Sequence, residues 1–593
     1  MRGANKVVYF LAGVFLVSAL VNDKQFESPS MAAYFFFLIA GGIIMIFASW
    51  TWLTQPAPLQ IGNILPLVLF TLINLYYLVQ AISVSNMAWS PMLIYLVVCN
   101  CLIIAFTLLL KLTRVRLSHL FNVIIIIAII ESFICIGQFI DVVKSSSNFF
   151  TVTGSWVNPN VTALFLSLSI AAALSNFYDR QNALPKTYYL IAAAIIIVAL
   201  VLLKCRTAFI GVLIIGSIIL NQRYNLIERI NKKYTGLKIL IPIFLFAVTL
   251  AILSVGFYYM KPASSDGRML IWKIGVNMVR QKPLTGFGYD RFDVNYNLAQ
   301  ANYFQEPSRA DHEIKNAAYT RMAYNEFLQA AVEGGVIGLV LILSLFLSLL
   351  IPFPKYNLHV TSAYAGVFAF AVMSMVNFTI QAVPAMAMFI IYSSILCAAA
   401  EFKPVHIFAW ARYPITIILT AIGLFISVSQ TKQASSSIKS KQAYLLSQAG
   451  KNDPAIRNFK SLENSLTMSE LYWSNYGFAL FKEKKYSEAL EKFKRAASLK
   501  SKPGTYLQMA MCYQKLGNSD SAIICNTFAK NMEPCRLMPV FSMMMLYRDK
   551  NDINNMVSMA KEIMTMPVKV RSRETDLFKM AANKVLKDNY RVQ

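Results

Sequence analysis

The chain has 593 residues, of which 57 % are hydrophobic and 14 % are charged. Soluble domains carry about 25 % charged residues, so most of this chain does not fold in water, and a soluble single-domain enzyme is excluded. The net charge of +26 is compatible with nucleic-acid binding. The long apolar runs favour instead a membrane protein with a basic soluble segment and no nucleic-acid partner.

Apolar runs dominate residues 1–429, and a bilayer-crossing helix needs about 17–25 residues. Thirteen such runs are present, of which the first and the eighth are short. Only Lys204, Cys205 and Arg206 separate the seventh run from the eighth. We therefore expect twelve or thirteen transmembrane helices. The runs lie at 6–22, 31–52, 61–84, 91–110, 119–140, 160–177, 187–203, 207–221, 237–259, 327–350, 360–380, 383–401 and 413–429. The predicted fold is an all-α, polytopic membrane domain over residues 1–429.

Basic residues are concentrated in alternate connections between these runs. Short cytoplasmic connections are rich in Lys and Arg, which places the amino terminus inside. The long loop 260–326 then lies outside, and with thirteen spans the carboxyl-terminal tail does as well. The basic residues assigned to the cytoplasmic side are Lys111, Arg114, Arg116, Arg180, Lys186, Arg223, Arg229, Lys232, Lys233, Lys238, Lys403 and Arg412.

Residues 430–593 form a soluble helical tail with 27 basic and 14 acidic side chains. Its most regular unit, from Glu470 to about Pro503, resembles the tetratricopeptide pattern of about 34 residues, in which small side chains let two antiparallel helices approach. The tail is therefore predicted to be a tetratricopeptide-type α-solenoid, an architecture that binds protein partners or acts as a spacer. The positions in phase are Ala455, Phe459, Trp473, Tyr476, Gly477, Tyr486, Ala489, Phe493, Ala496, Ala522, Ala529 and Pro534.

The eight cysteines have no CxxC spacing and no neighbouring histidine. This pattern predicts no metal site. A disulfide between Cys512 and Cys525 is left open.

Ordered polar and glycine motifs stand in the outer loop and before it. Gly154–Asn160 contains Asn158 and Asn160, and Lys204–Ala208 is a short outer turn with Arg206. Within the loop and at its end the motif residues are Arg268, Trp272, Gly286, Gly288, Arg321, Tyr324, Asn325, Glu326 and Glu333.

This ordered series resembles the signature of the O-antigen ligase and polymerase superfamily, over residues of about 150–400. The resemblance implies a glycosyltransferase of the bacterial inner membrane that acts in surface polysaccharide biosynthesis without a metal or other cofactor. Its donor is a glycan on a polyprenyl pyrophosphate carrier. Its acceptor is a hydroxyl of a glycolipid, a glycan or a protein at the periplasmic face, where the loop and the tail are expected.

Three arginines are the candidates for binding the pyrophosphate, namely Arg206, Arg268 and Arg321. Guanidinium groups are permanently charged and bind phosphate oxygens through paired hydrogen bonds, and stabilisation of developing charge is usually the largest catalytic contribution. Two other interpretations stay open: Arg206 as a side chain that snorkels to the headgroups, and Arg268 as a solvated loop charge.

The general base is less clear, because Tyr324 stands where family members commonly have histidine before Asn325. A tyrosine with a pKa near 10 is a poor base at neutral pH. His312, Glu313 and Glu326 are the alternatives, and His312 is equally consistent with a solvated loop residue.

Three further motif residues have interpretations of their own. Gly286 and Gly288 are predicted to form turns that let the loop fold back. Glu333 either orients the end of the loop, binds the acceptor or pairs with a basic residue.

Glu131 lies within an apolar run, where ionisable residues are functional candidates. A structural pairing is the alternative, since Gln138, seven residues later, lies on the same helical face.

Other functions remain open from the sequence. A polysaccharide polymerase and a protein O-oligosaccharyltransferase belong to the same class as the ligase. A transporter predicts symmetry-related halves with broken helices, and the sequence shows no such internal repeat. A non-catalytic scaffold is favoured only by Tyr324. The repeat tail allows a protein partner in each case.

Overall fold

The computed structural model describes residues 2–55, 59–85, 90–113, 115–179, 184–233, 262–306, 309–351, 357–399, 405–569 and 571–590. The chain forms two compact units. One comprises Met1–Met260, Tyr324–Ala330 and Val336–Ser435, and the other comprises Lys261–Ala323, Ala331–Gly335 and Ser436–Gln593. Most of the predicted outer loop therefore belongs to the same unit as the tail.

Most of the first unit consists of apolar helices, and residues 331–335 and 436–448 of two of them belong to the second unit. In chain order they are α1 (Arg2–Val17), α2 (Ser30–Thr54), α3 (Leu65–Gln80), α4 (Pro91–Leu112), α5 (Leu117–Phe139), α6 (Pro159–Tyr178), α7 (Lys186–Leu203), α8 (Arg206–Tyr224), α9 (Leu226–Lys233), α13 (Glu326–Leu350), α14 (Leu358–Ser374), α15 (Val383–Ala398) and α16 (Arg412–Gln448). Two short strands, β1 (Leu59–Ile61) and β2 (Val405–Ile407), pair in antiparallel fashion.

Within the described residues, nine helices are long and apolar enough to cross a membrane. Three shorter apolar helices, Ala4–Val17, Leu358–Ser374 and Val383–Ala398, coincide with three further predicted spans. The predicted all-α polytopic fold is confirmed. The span predicted at 237–259 lies outside the described residues, as do Arg114, Arg180, Lys238 and Lys403, so the choice between twelve and thirteen spans stays a prediction.

Helix α6 occupies the middle of this unit. It packs against α5, α7, α8, α14 and α15, and its face is lined by small residues that allow close approach, among them Ala163, Ala171 and Ala172, all fully buried. The motif 154–160 lies immediately before this helix and is thereby fixed to the best-packed part of the unit.

The second unit contains three helices from the outer loop and the repeat helices of the tail. The loop helices are α10 (Pro262–Gln281), α11 (Phe292–Tyr303) and α12 (Asp311–Asn316). The tail, after the end of α16, contains α17 (Asn452–Leu462), α18 (Glu470–Lys482), α19 (Tyr486–Leu499), α20 (Pro503–Lys515), α21 (Ser519–Met532), α22 (Leu537–Asp549), α23 (Ile553–Thr565) and α24 (Arg573–Tyr590).

The tail helices pair into successive hairpins, α18–α19, α20–α21 and α22–α23. Their first helices begin at Glu470, Pro503 and Leu537, close to the predicted period. A Cβ atom at Gly477 would lie 2.8 Å from the Phe493 ring, so a small residue is required where the two helices of the first hairpin touch. All eight cysteines are free thiols, so the disulfide left open between Cys512 and Cys525 is absent.

Candidate active site

Arg206 is the first residue of α8, after a sharp turn. Lys204 adopts a left-handed conformation with φ of 51°, and Cys205 is the N-cap residue. Arg206 is half-buried. The positive end of the helix dipole at this terminus favours an anion, so the predicted pyrophosphate ligand stands in an electrostatically suitable place.

The motif 154–160 is held by two polar side chains of α5. Gln138 accepts hydrogen bonds from the backbone N–H groups of Thr153 and Gly154, both at 2.8 Å. Glu131 accepts hydrogen bonds from the N–H and the hydroxyl of Ser155 at 2.8 and 2.7 Å and from the Thr162 hydroxyl at 3.2 Å. This geometry supports the structural interpretation of Glu131.

The predicted motif residue Asn158 is the N-cap of α6, where its side chain accepts a hydrogen bond at 3.0 Å from the backbone N–H of Asn160. An N-cap of this kind satisfies one of the free N–H groups at a helix start. The pair therefore fixes the beginning of the central helix.

The residues of the closing motif, Tyr324 to Glu326, also make structural contacts. Tyr324 has a φ of 52° and packs edge-on against Phe378, with ring centroids 5.6 Å apart. The Asn325 side chain caps α13 by accepting the Leu328 N–H at 3.0 Å. The buried Glu326 carboxylate accepts the Ile380 N–H at 2.8 Å, which ties the start of α13 to the turn before α15.

Glu313 is engaged at both carboxylate oxygens. It receives hydrogen bonds from Lys273 at 2.7 Å and from the Tyr303 hydroxyl at 2.7 Å, and Lys273 also contacts that hydroxyl at 2.8 Å. Burial alone raises the pKa of Glu313, but the two donors outweigh it and hold the pKa below its ordinary value, while the same contacts raise the pKa of Lys273. The group therefore joins α10, α11 and α12, and His312 next to it is exposed.

Gly286 and Gly288 form the turn predicted from the sequence, and this turn packs against a break in α13. The N–H groups of Phe287 and Gly288 donate to the carbonyls of Val332 and Glu333, both at 2.9 Å. The buried Glu333 carboxylate accepts the Phe292 N–H at 3.2 Å. This contact favours the first of the three predicted roles of Glu333, the orientation of the loop.

The three remaining predicted residues lie in α10 and at the loop's end. Trp272 donates through its indole N–H to the Ala323 carbonyl at 2.9 Å. Arg268 is half-buried in α10, and Arg321 is exposed.

A tail lysine lies close to Arg321. Burial lowers the pKa of Lys500, and the positive charge of Arg321 lowers it further. Lys500, Lys273 and Tyr303 are the residues that sequence reasoning missed. None carries a motif signal, because each depends on a contact between distant segments.

The helices and the loop describe a multi-pass helical membrane protein whose outer loop and repeat tail share one compact unit. The O-antigen ligase family model matches residues 191–343, and the chain therefore carries an O-antigen ligase domain, which supports a membrane glycosyltransferase-like ligase role. The predicted family resemblance is confirmed. The matched segment contains every residue predicted for pyrophosphate binding and catalysis, whereas Asn158 and Asn160 precede it.

Two further comparisons add little. No curated protein matches the chain. The crystal structure of the APC/C hetero-tetramer Cut9–Hcn1 aligns with 93 % of this chain and 89 % of its own at 11 % identity, but the TM-score of 0.20 establishes no shared fold.

Proposed function

We propose that this protein transfers a glycan from a polyprenyl pyrophosphate carrier to a hydroxyl group of a glycolipid, glycan or protein at the periplasmic face of the bacterial inner membrane. The observation that carries the proposal is the O-antigen ligase match over residues 191–343. That segment holds the candidate arginines and the closing motif of the outer loop.

The chemistry of the arginines supports the same reaction. Negative charge grows on the pyrophosphate as the anomeric C–O bond breaks, and a guanidinium binds such oxygens through two parallel hydrogen bonds. We assign this role to Arg206 at the start of α8 and to Arg268 and Arg321 in the outer loop.

The remaining base candidate is His312. Glu313 has a hydrogen-bond donor on each carboxylate oxygen, Glu326 accepts a backbone N–H at the start of α13, and Tyr324 is too weak a base at neutral pH. We therefore assign proton acceptance from the acceptor hydroxyl to His312 and structural roles to the two carboxylates.

The periplasmic placement of the loop and the tail rests on two arguments. The basic residues of the predicted connections favour a cytoplasmic amino terminus. The loop and the tail share one compact unit, and four helices, α13 to α16, lie between them, which is the even number that a common side requires.

A deletion strain complemented with variants tests the proposal. We expect Arg206→Ala to accumulate carrier-linked glycan and to remove glycan from one acceptor class on a gel of surface glycolipids and glycoproteins. Arg206→Lys, which keeps the charge but loses the paired hydrogen bonds, should restore only part of the transfer.

The gel also separates the alternatives. Shortened chains that still reach the acceptor identify a polymerase, and loss from proteins alone identifies a protein glycosyltransferase. Normal glycosylation in the deletion strain contradicts the proposal.

A further inference from the structure

The loop segment 314–320 runs directly before Arg321, and its backbone is held by side chains of the tail. Lys569 donates to the Ala317 carbonyl at 2.7 Å. The Tyr319 N–H donates to the Glu533 carboxylate at 3.1 Å, and the Cys535 thiol donates to the Ile314 carbonyl at 3.3 Å.

Helix α11 holds the same segment from its other side. Gln300, which is fully buried, donates to the Ala318 carbonyl at 3.0 Å and to the Met532 carbonyl of the tail at 2.6 Å. The Asn297 side chain pairs with both backbone groups of Thr320, at 2.8 and 3.0 Å. The backbone conformation of the segment before Arg321 is therefore fixed by α11 and the tail together.

These contacts recur along one edge of the repeat array. Arg291 donates to the Ser498 carbonyl at 2.9 Å, and Gln300 donates to the carbonyl of Met532, 34 residues later. Both carbonyls lie where the second helix of a hairpin ends, and Lys569 follows the end of the third hairpin. We name Ser498, Met532, Glu533, Cys535 and Lys569 the docking edge.

We infer that the docking edge positions the outer loop, so that Lys569 and Gln300 are positioning residues through which the tail sets the place of Arg321. The inference deepens the proposed function, because it assumes that Arg321 binds the pyrophosphate of the donor. It gives the tail a catalytic purpose that differs from the recruitment of a partner. A displacement of about 1 Å in a substrate-binding group costs up to a hundredfold in rate.

Two variants weaken docking with little change in size. Lys569→Met keeps a long side chain and removes the donor. Gln300→Glu is nearly isosteric and turns a carboxylate oxygen toward two carbonyl oxygens. Lys569→Arg keeps the donor, and Lys561→Met removes the same charge from an exposed position in the neighbouring helix.

Cys535 reports docking without reference to activity. The rate of its alkylation by N-ethylmaleimide is measured by mass spectrometry on the full-length protein in detergent. Burial raises the pKa of the Cys535 thiol, and the positive charge of Lys569 offsets part of this rise. Removal of the Lys569 charge alone therefore slows alkylation, and only exposure of the thiol accelerates it. Faster alkylation therefore indicates release of the loop.

We expect Lys569→Met and Gln300→Glu to accelerate alkylation of Cys535 severalfold and to lower kcat by about ten- to a hundredfold, with little change in the KM for the acceptor. Lys569→Arg and Lys561→Met should match wild type in both measurements.

The inference would be overturned if alkylation were unchanged in both variants, or if alkylation were faster while kcat stayed at the wild-type value. A raised KM for the acceptor at unchanged kcat would also overturn it, because that result is expected if the repeat tail recruits the acceptor. An inactive wild type refutes the proposed function instead, and alkylation of Cys535 still decides whether the loop is docked.

Discussion

At the scale of single residues, the acidic side chains near the proposed site divide by their hydrogen bonds. Glu313 has a charged donor and a hydroxyl donor on its two oxygens, and Glu326 accepts a backbone N–H. A general base must have a free lone pair for the proton that it removes. We therefore expect these carboxylates to stabilise the loop and the start of α13 rather than to act as the base.

Glu313→Gln tests this assignment. We expect a loss of about 1 kcal/mol in the free energy of unfolding, because the Glu313 side chain is mostly buried but that of Lys273 is largely solvated. The transfer rate should stay within a few-fold of wild type. A catalytic base would instead cost about a hundred- to ten-thousandfold. Because the pKa of Glu313 is lowered in the fold, the carboxylate stabilises the protein above the ordinary glutamate pKa, and this stabilisation is lost as the pH falls through the lowered value.

Thermal unfolding of the protein in detergent between pH 3 and 7 measures this difference. The control is Asp311→Asn, which removes one charge from an exposed position of the same helix. A rate loss of a hundredfold or more in Glu313→Gln would return the base role to Glu313.

Sequence reasoning reached some residue pairings and missed others for a physical reason. Glu131 and Gln138 are seven residues apart, so helical geometry alone places them on one face, and both bind the 153–155 turn. Glu313 and Lys273 are 40 residues apart in the chain. Their meeting depends on how three short helices pack, and no local periodicity encodes that packing.

At the scale of elements, the apolar helices follow directly from the sequence because bilayer length fixes their size. The break inside α13 does not. Gly335 has φ of 63° and ψ of −162° within this helix, in a run that reads as one continuous span. The break exists because the 284–288 turn packs against the backbone at this point, which is a tertiary contact.

Gly335→Ala should disrupt this contact. A Cβ atom at Gly335 would clash with the Leu284 carbonyl group, and the positive φ with extended ψ, a conformation essentially restricted to glycine, adds about 1–3 kcal/mol for another residue. We expect a marked loss of monodisperse protein in detergent extracts and a lower unfolding temperature.

Gly504→Ala is the matched control, because a Cβ atom there meets nothing within 4 Å. It should leave both measurements unchanged. Wild-type stability of Gly335→Ala would show that the turn and the helix break are not coupled.

At the scale of the whole molecule, the period of about 34 residues predicts the repeat hairpins but not what they hold. Three side chains of the docking edge contact backbone groups of the loop, at Ile314, Ala317 and Tyr319. Backbone groups have no sequence signature, so the association of loop and tail is visible only in the structure. We therefore expect the two segments to face the same compartment.

Impermeant thiol labelling tests this consequence. Single cysteines are introduced by Asp311→Cys in the loop, Lys561→Cys in the tail and Arg223→Cys in a predicted cytoplasmic connection, in a background without native cysteines. We expect intact cells to label the loop and the tail, and the third position only after permeabilisation, because the positive-inside rule places Arg223 in the cytoplasm. Labelling of the loop without the tail would separate two segments that the structure joins. If both positions were protected from the reagent in intact cells, the loop and the tail would lie in the cytoplasm. That result would reverse the predicted orientation but would still agree with their association.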